Sequence, residues 1–182
     1  AEGRPDLAAG WASEAEAPRE QAALLAEATR QLGADNPIVV GHSFGGAVAM
    51  GWARDEPASS VVILSGATMP WPGSVDWTYQ LLGSKPGGAF LAPIVAAFLP
   101  DSYVRNTLEN VFQPQPAPED YYSRAGVMMA VRTSTLRANN RQVNTLRPEV
   151  VKMTLEYPTI TPPVEIIHGT ATKTHILAVH GE

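Results

Sequence analysis

Apolar and polar positions along the chain change period several times, and each change marks an element. In PREQAALLAEATRQLG, Leu24, Leu25, Ala28 and Leu32 recur at helical spacing. Pro18 suits a first helical turn and Gly33 closes the run. NPIVVGH then holds Ile38, Val39 and Val40 without alternation, as a strand buried on both faces of a parallel sheet would. Residues 44–54 return to helical patterning, which Pro57 ends, and SVVILSG (60–66) is a second continuous apolar strand. Strand, helix, strand at these lengths is one βαβ unit, so the class is α/β.

From Pro70 to about Thr161 the pattern turns helical and proline-interrupted. The prolines predict short helices, one of them YVRNTLENVF, with Asp101-Ser102 as its cap. Pro118 opens another, PEDYYSRAGVMMAVRTSTLR, on which Tyr121, Ala125, Met128, Arg132 and Leu136 share a face. ANNRQVNTLRPEVVKMTLEY gives one or two more, and VEIIHG is a third buried-type strand. The expected organisation is a core over 1–69, a helical insertion over 70–161, and a return to the core over 162–182.

Composition narrows the function classes. The chain has 182 residues, 45% hydrophobic and 17% charged, which suits one domain with a real core. A net charge of −5 argues against nucleic-acid binding. No run of about 18 apolar residues suggests a membrane span. There are no cysteines, which excludes disulfides and thiolate chemistry. No histidine pair has metal-ligand spacing with nearby carboxylates, and neither a metal nor a cofactor is expected. Nothing marks the chain for export, so the expected location is the cytoplasm.

The stretch that carries chemistry is PIVVGHSFGGAVAMGWA. Gly41-His42-Ser43-Phe44-Gly45 fits G-x-S-x-G between a strand and a helix. A serine at such a turn is forced into a strained backbone conformation that points its hydroxyl away from the sheet. Positions two before and two after it, Gly41 and Gly45, are expected to lack side chains because strand and helix approach closely there. The helix start beneath offers free N–H groups, the Phe44 amide among them, to a developing oxyanion. The alternatives are a glycine-rich turn that binds phosphate, or one that only packs. His42 is expected to pack or hydrogen-bond at the floor of the site.

In these segments the chain resembles the α/β-hydrolase family, in particular its esterase and haloperoxidase-like members. QAALLAEATRQLGADNPIVVGHSFGGAVAMGWA resembles the family's central helix, strand, nucleophile turn and helix; SVVILSGA resembles the next strand, and PPVEIIHGTAT the strand and loop usually read P-x-x-x-x-H-G-x-x-D. The resemblance implies an α/β fold with a parallel sheet, incomplete here, and an inserted helical cap. It implies Ser43 as nucleophile and Phe44 as an oxyanion-hole amide, acting on a small acyl substrate such as a carboxylic ester.

Departures from the family pattern are equally specific. Thr172 stands where the family's triad acid belongs, and threonine cannot stabilise an imidazolium as a carboxylate does. The catalytic histidine would lie after one further strand, and neither His168, His175 nor His180 fills that place by pattern. The chain therefore reads as a segment of a longer hydrolase, inactive alone. An acyltransferase, perhydrolase or lyase on the same fold, and a non-catalytic ligand- or partner-binding protein, are the alternative readings. Trp71, Trp77 and Tyr79 are candidates for a pocket wall or a cap anchor. Met128 and Met129 are candidates for an acyl pocket or for plain packing. Arg137, Arg141 and Arg147 are expected on a solvated helical face.

Overall fold

A computed structural model describes residues 16–73 and 77–169. In order along the chain these are helix α1 (Pro18–Gln31), strand β1 (Ile38–His42), helix α2 (Phe44–Asp55), strand β2 (Ser60–Leu64), helices α3 (Trp77–Gly83), α4 (Lys85–Phe98), α5 (Asp101–Phe112), α6 (Tyr121–Arg124) and α7 (Thr133–Thr154), and strand β3 (Val164–Ile167). They form two compact units, one of residues up to 73 with 145–169 and one of 77–144.

The first unit is built on a three-stranded parallel sheet in the order β1-β2-β3. Val39 pairs with Val61 and Gly41 with Ile63, and Val61 and Ile63 pair in turn with Val164 and Ile166. One face therefore carries Val39, Gly41, Val61 and Ile63. There Val61 and Ile63 are fully buried against Ala49, Met50 and Ala53 of α2 and Met153 of α7. Beside them Ala22 and Ala26 of α1 pack with Val48 and Trp52 of α2. Trp52 also donates from Nε1 to the Pro57 carbonyl at 2.9 Å, fixing the turn into β2. Small residues on both helices let α1 and α2 approach closely, as helix ridges and grooves require.

The other face departs from the sequence expectation. Ile38 and Val40 are 66% and 60% exposed, and Ile167 is 51% exposed. β1 is thus a half-covered edge strand, although its unalternating apolar run reads as a strand buried on both sides. Side chains alternate across a strand, and in β1 only the α2-facing set is covered.

An ion network joins the ends of this unit. Arg19 reaches both carboxylate oxygens of Asp55, at 2.8 and 2.9 Å, and Glu156 at 3.3 Å. Arg54 pairs with Glu156 at 2.8 Å and with Asp55. The Asp55 hydrogen bond is the main reason the Arg19 guanidinium is held above its ordinary pKa. At the start of α1, Pro18 opens the helix as expected, and Glu20 accepts from the Ala17 amide at 3.1 Å. Gly33, at φ +81°, follows the helix end and donates to the Arg30 carbonyl.

Two prolines fail to break helices. Pro93 lies inside α4 and Pro148 inside the 22-residue α7. A proline costs one backbone bond and a local clash, and tertiary packing outweighs both here. The long helix expected over 118–137 is instead interrupted. Gly126, at φ +61°, separates α6 from a 3-10 turn at Val127–Met129, so Tyr121, Ala125, Met128, Arg132 and Leu136 do not share one helix. The cap of α5 is Pro100, not Asp101-Ser102; Asp101 falls in the first turn, where its charge suits the helix dipole.

Candidate functional site

β1 ends at His42 and α2 begins at Phe44, so a single residue makes the turn between them. That residue is Ser43, at φ 53° and ψ −121°. Such backbone angles cost a non-glycine residue about 1–3 kcal/mol and persist only where neighbours hold them. Three hydrogen bonds do so. The Ser43 amide donates to the Leu64 carbonyl at 3.2 Å, and the Ser43 carbonyl accepts from Gly46 at 3.0 Å and Ala67 at 2.9 Å. Ser43 occupies the N-cap position of α2, yet its hydroxyl makes no capping bond. A serine there normally spends its side chain on the helix end. Here Ser43 is half-buried and its hydroxyl is not committed to the cap.

The close approach expected from the motif is present at Gly41 and absent at Gly45, and Gly46 is tight as well. A Cβ on Gly41 would strike the Gly45 carbonyl oxygen and lie 2.6 Å from its carbon and 2.8 Å from the Ala49 Cβ. Gly45 itself has open space where its Cβ would sit, contrary to the expectation that it must lack a side chain. What presses on Gly41 is the Gly45 backbone, which every residue type has. The second tight position is Gly46, whose Cβ would lie 2.6 Å from the Gly66 Cα. Gly66 in turn has no room for a Cβ beside the Ile63 side chain.

The segment after β2 completes the turn's surroundings, and sequence reasoning missed its role. Ser65 has a positive φ of 44° and donates to the Ile167 carbonyl at 2.8 Å. Ala67 holds the Ser43 carbonyl, and the Tyr157 hydroxyl donates to the Thr68 carbonyl at 2.6 Å. Burial raises the Tyr157 pKa well above the ordinary tyrosine value, so the phenol stays neutral and remains a donor. Gly66 immediately after an apolar strand was the available signal.

The first helical turn of α2 supplies the site's positive end. The Gly46 N–H is spent on Ser43, which leaves the Phe44 and Gly45 amides as the helix's orphan donors. Phe44 packs with Trp71 against Ala47, Leu146 and Val150. The Trp71 carbonyl accepts from Arg147 Nε at 3.0 Å. Arg147, Arg137 and Arg141 are half-buried rather than on a solvated face.

The remaining candidates separate. His42 is exposed, not packed at a floor. His168 follows β3, with Nδ1 2.9 Å from the Gly169 carbonyl. Trp77 (68% exposed), Tyr79 and Met128 belong to the helical unit. Thr172, His175 and His180 lie outside the described residues.

Comparison with known proteins agrees with this geometry. The model of the alpha/beta hydrolase family matches residues 3–179. No curated protein matches the chain. Among solved structures, the epoxide hydrolase CorEH without ligand is similar at 20% identity and a TM-score of 0.63, over 86% of this chain and 59% of that one. MGS-M2, an alpha/beta hydrolase enzyme from a Medee basin deep-sea metagenome library, is similar at 18% identity and a TM-score of 0.60, over 92% and 59%. An alpha/beta hydrolase fold protein from Burkholderia ambifaria is similar at 20% identity and a TM-score of 0.54, over 84% and 55%. The chain thus spans somewhat over half the length of these structures. With a parallel sheet, a strand-to-helix turn at a strained serine, and a family match over nearly its whole length, the chain belongs to the α/β-hydrolase family.

Proposed function

We propose that the chain carries the nucleophile of a serine hydrolase that acts on a carboxylic ester or a similar acyl compound. The observation that carries this reading is Ser43, strained at φ 53° and ψ −121°, with a hydroxyl not committed to capping the helix it precedes. In the reaction the Ser43 oxygen attacks the acyl carbon, the carbonyl π electrons move to oxygen, and the serine proton passes to a base. The Phe44 amide and the positive end of α2 stabilise the resulting oxyanion. Collapse of the tetrahedral species expels the alcohol and leaves an acyl-serine, which water then cleaves.

Neither described histidine stands at a triad position. His42 is exposed and His168 sits at the end of β3. Their places in the chain match no triad position, and Thr172 stands where the family pattern puts the acid. Acylation of Ser43 is therefore expected to outrun any sustained turnover by these 182 residues alone.

Acyl mapping tests this directly. The chain is incubated with p-nitrophenyl acetate, digested, and its acetyl adducts located by mass spectrometry. Acetyl is expected on Ser43 above every other serine, absent in Ser43→Ala, with little continuing release of nitrophenol. Adducts spread over exposed serines such as Ser102, with Ser43 no richer, would refute the reading.

A further inference from the structure

β2 changes step against β1 just past Leu64. His42 pairs with Leu64, and the Ser43 amide donates to the Leu64 carbonyl at 3.2 Å, the last regular rung between the two strands. In a regular parallel ladder the following rung would bring the Gly66 amide to the Ser43 carbonyl. The Ala67 amide donates there instead, at 2.9 Å. Ser65 and Gly66 together thus stand opposite Ser43 alone, which makes a β-bulge in a parallel pair. On its other side β2 keeps step: Leu64 pairs with Ile167, and the Ser65 amide donates to the Ile167 carbonyl at 2.8 Å. The extra residue is absorbed between the Ser65 and Ala67 amides, where Ser65 turns to φ 44°. Among the described residues, Ser43 and Ser65 are the non-glycine residues with positive φ, and they follow the ends of neighbouring strands. Left-handed backbone at a bulge ordinarily falls to glycine, which has no Cβ to strain. Gly66 has a separate reason to be glycine. A Cβ there would run into the Ile63 side chain and come 3.0 Å from the Gly46 Cα, so the bulge lies against the first turn of α2.

We propose that Ser65 is a positioning residue: its left-handed backbone sets the bulge that brings Ala67 to the Ser43 carbonyl, and through that carbonyl it aims the Phe44 amide at the developing oxyanion. The inference rests on Ser43 being the nucleophile, and adds what orients the oxyanion donor beside it. The link is one peptide plane. The Ser43 carbonyl and the Phe44 N–H belong to the same trans peptide unit and point in opposite directions, so fixing one fixes the other. Two donors hold that carbonyl. The Gly46 amide, at 3.0 Å, moves with α2, which begins at Phe44, and cannot by itself register the plane against the sheet. The Ala67 amide is tied to β2, and through the bond from Ser65 to Ile167 it is tied to β3 as well. In a plain ladder the carbonyl would turn to Gly66, one residue earlier, and the Phe44 N–H would swing with it. An oxyanion donor has to stand about 2.7–3.1 Å from the charged oxygen, so such a swing removes most of its effect. The backbone angle of Ser65 does this work, and its hydroxyl takes no part.

The test compares Ser65→Gly, Ser65→Ala, Ser65→Thr and Ser65→Val in the full chain. Glycine holds φ 44° without strain, alanine keeps a single Cβ without the hydroxyl, and the β-branched pair resist that angle. Acetylation of Ser43 by p-nitrophenyl acetate is timed by mass spectrometry, well below each melting temperature. Hydrogen exchange of the Ala67 amide is followed by nuclear magnetic resonance on the same samples, with circular dichroism as the check on folding. Valine is expected to slow Ser43 acetylation by about tenfold to a hundredfold and to speed Ala67 exchange. Threonine, the milder change, is expected to move both readouts the same way by less, and it decides the matter if the valine variant does not fold. Glycine and alanine are expected to stay within a few-fold of the unaltered chain on both. A loss in alanine equal to that in valine would overturn the proposal, because it would assign the effect to the hydroxyl. Folded β-branched variants that acetylate as the unaltered chain does would overturn it too, whatever their Ala67 exchange, by leaving Ser65 a purely structural role. If the unaltered chain takes no acetyl on Ser43, the nucleophile reading fails, and Ala67 exchange still decides whether Ser65 sets the bulge.

Discussion

Replacing Gly41 and Gly45 separately by alanine should move stability in opposite directions. The motif pattern treats the two glycines alike, and the packing does not. In Gly41→Ala the new methyl strikes the Gly45 carbonyl oxygen and comes within 2.6 Å of its carbon and 2.8 Å of the Ala49 Cβ. None of these is the loose end of a flexible side chain. Restoring ordinary contact requires the first turn of α2 to move off β1 by roughly 1 Å, which overpacking data price at about 1–3 kcal/mol. The same shift loosens the Gly46 to Ser43 bond, worth about another 1 kcal/mol. The sum is about 3 kcal/mol, or a fall in melting temperature of about 6–12 °C for a chain of this size. In Gly45→Ala the methyl meets nothing within 4 Å, and the position is in the first turn of a helix. Alanine there is expected to stabilise by about 0.5–1 kcal/mol through helix propensity and a less flexible unfolded chain. Thermal melts followed by far-ultraviolet circular dichroism read both. Equal losses for the two variants, or a clear loss for Gly45→Ala, would show that the turn is not packed as described.

Two further outcomes follow from side chains nearby. Tyr157 is held neutral by burial, with its folded pKa above the unfolded value. Above about pH 10 the unfolded chain loses a proton that the folded one keeps, so stability should fall with rising pH by up to about 1.4 kcal/mol per unit. That stability is fully present below pH about 10, and Tyr157→Phe should flatten the slope in denaturant titrations at about pH 9 and pH 11; an unchanged slope would dispute the burial. Arg19→Ala removes bonds to Asp55 and Glu156. Because these groups are about a third exposed, the expected loss is about 1 kcal/mol, shrinking in about 1 M salt. A loss that salt leaves untouched would assign Arg19 a packing role instead.

The parts of this structure that local sequence could announce are those settled within a few residues. β1, Ser43 and α2 are adjacent in sequence, and the order of glycine, serine and small residues is enough to specify the bend. The three strands were visible as apolar runs for the same reason. What escaped depended on partners far along the chain. Gly46 is tight because the Gly66 backbone lies against it, and Tyr157 reaches Thr68 across 89 residues. Neither relation leaves a periodic trace. Exposure of Ile38 and Val40 escaped because an apolar run reports what a strand can bury, not what covers it. Proline signals a break by sequence at Pro93 and Pro148, where packing prevails. Glycine at 126, inside an otherwise helical pattern, made the break instead.

β1 pairs on one side only among the described residues, and its far side faces outward. Any strand that joins it in parallel would run about 4.8 Å away and finish alongside His42 and Ser43. The residues just past that strand's end would then stand next to the serine. Whatever occupies the open flank of β1 thereby becomes co-author of the site: the chain holds the reacting atom, and its neighbour decides what surrounds it.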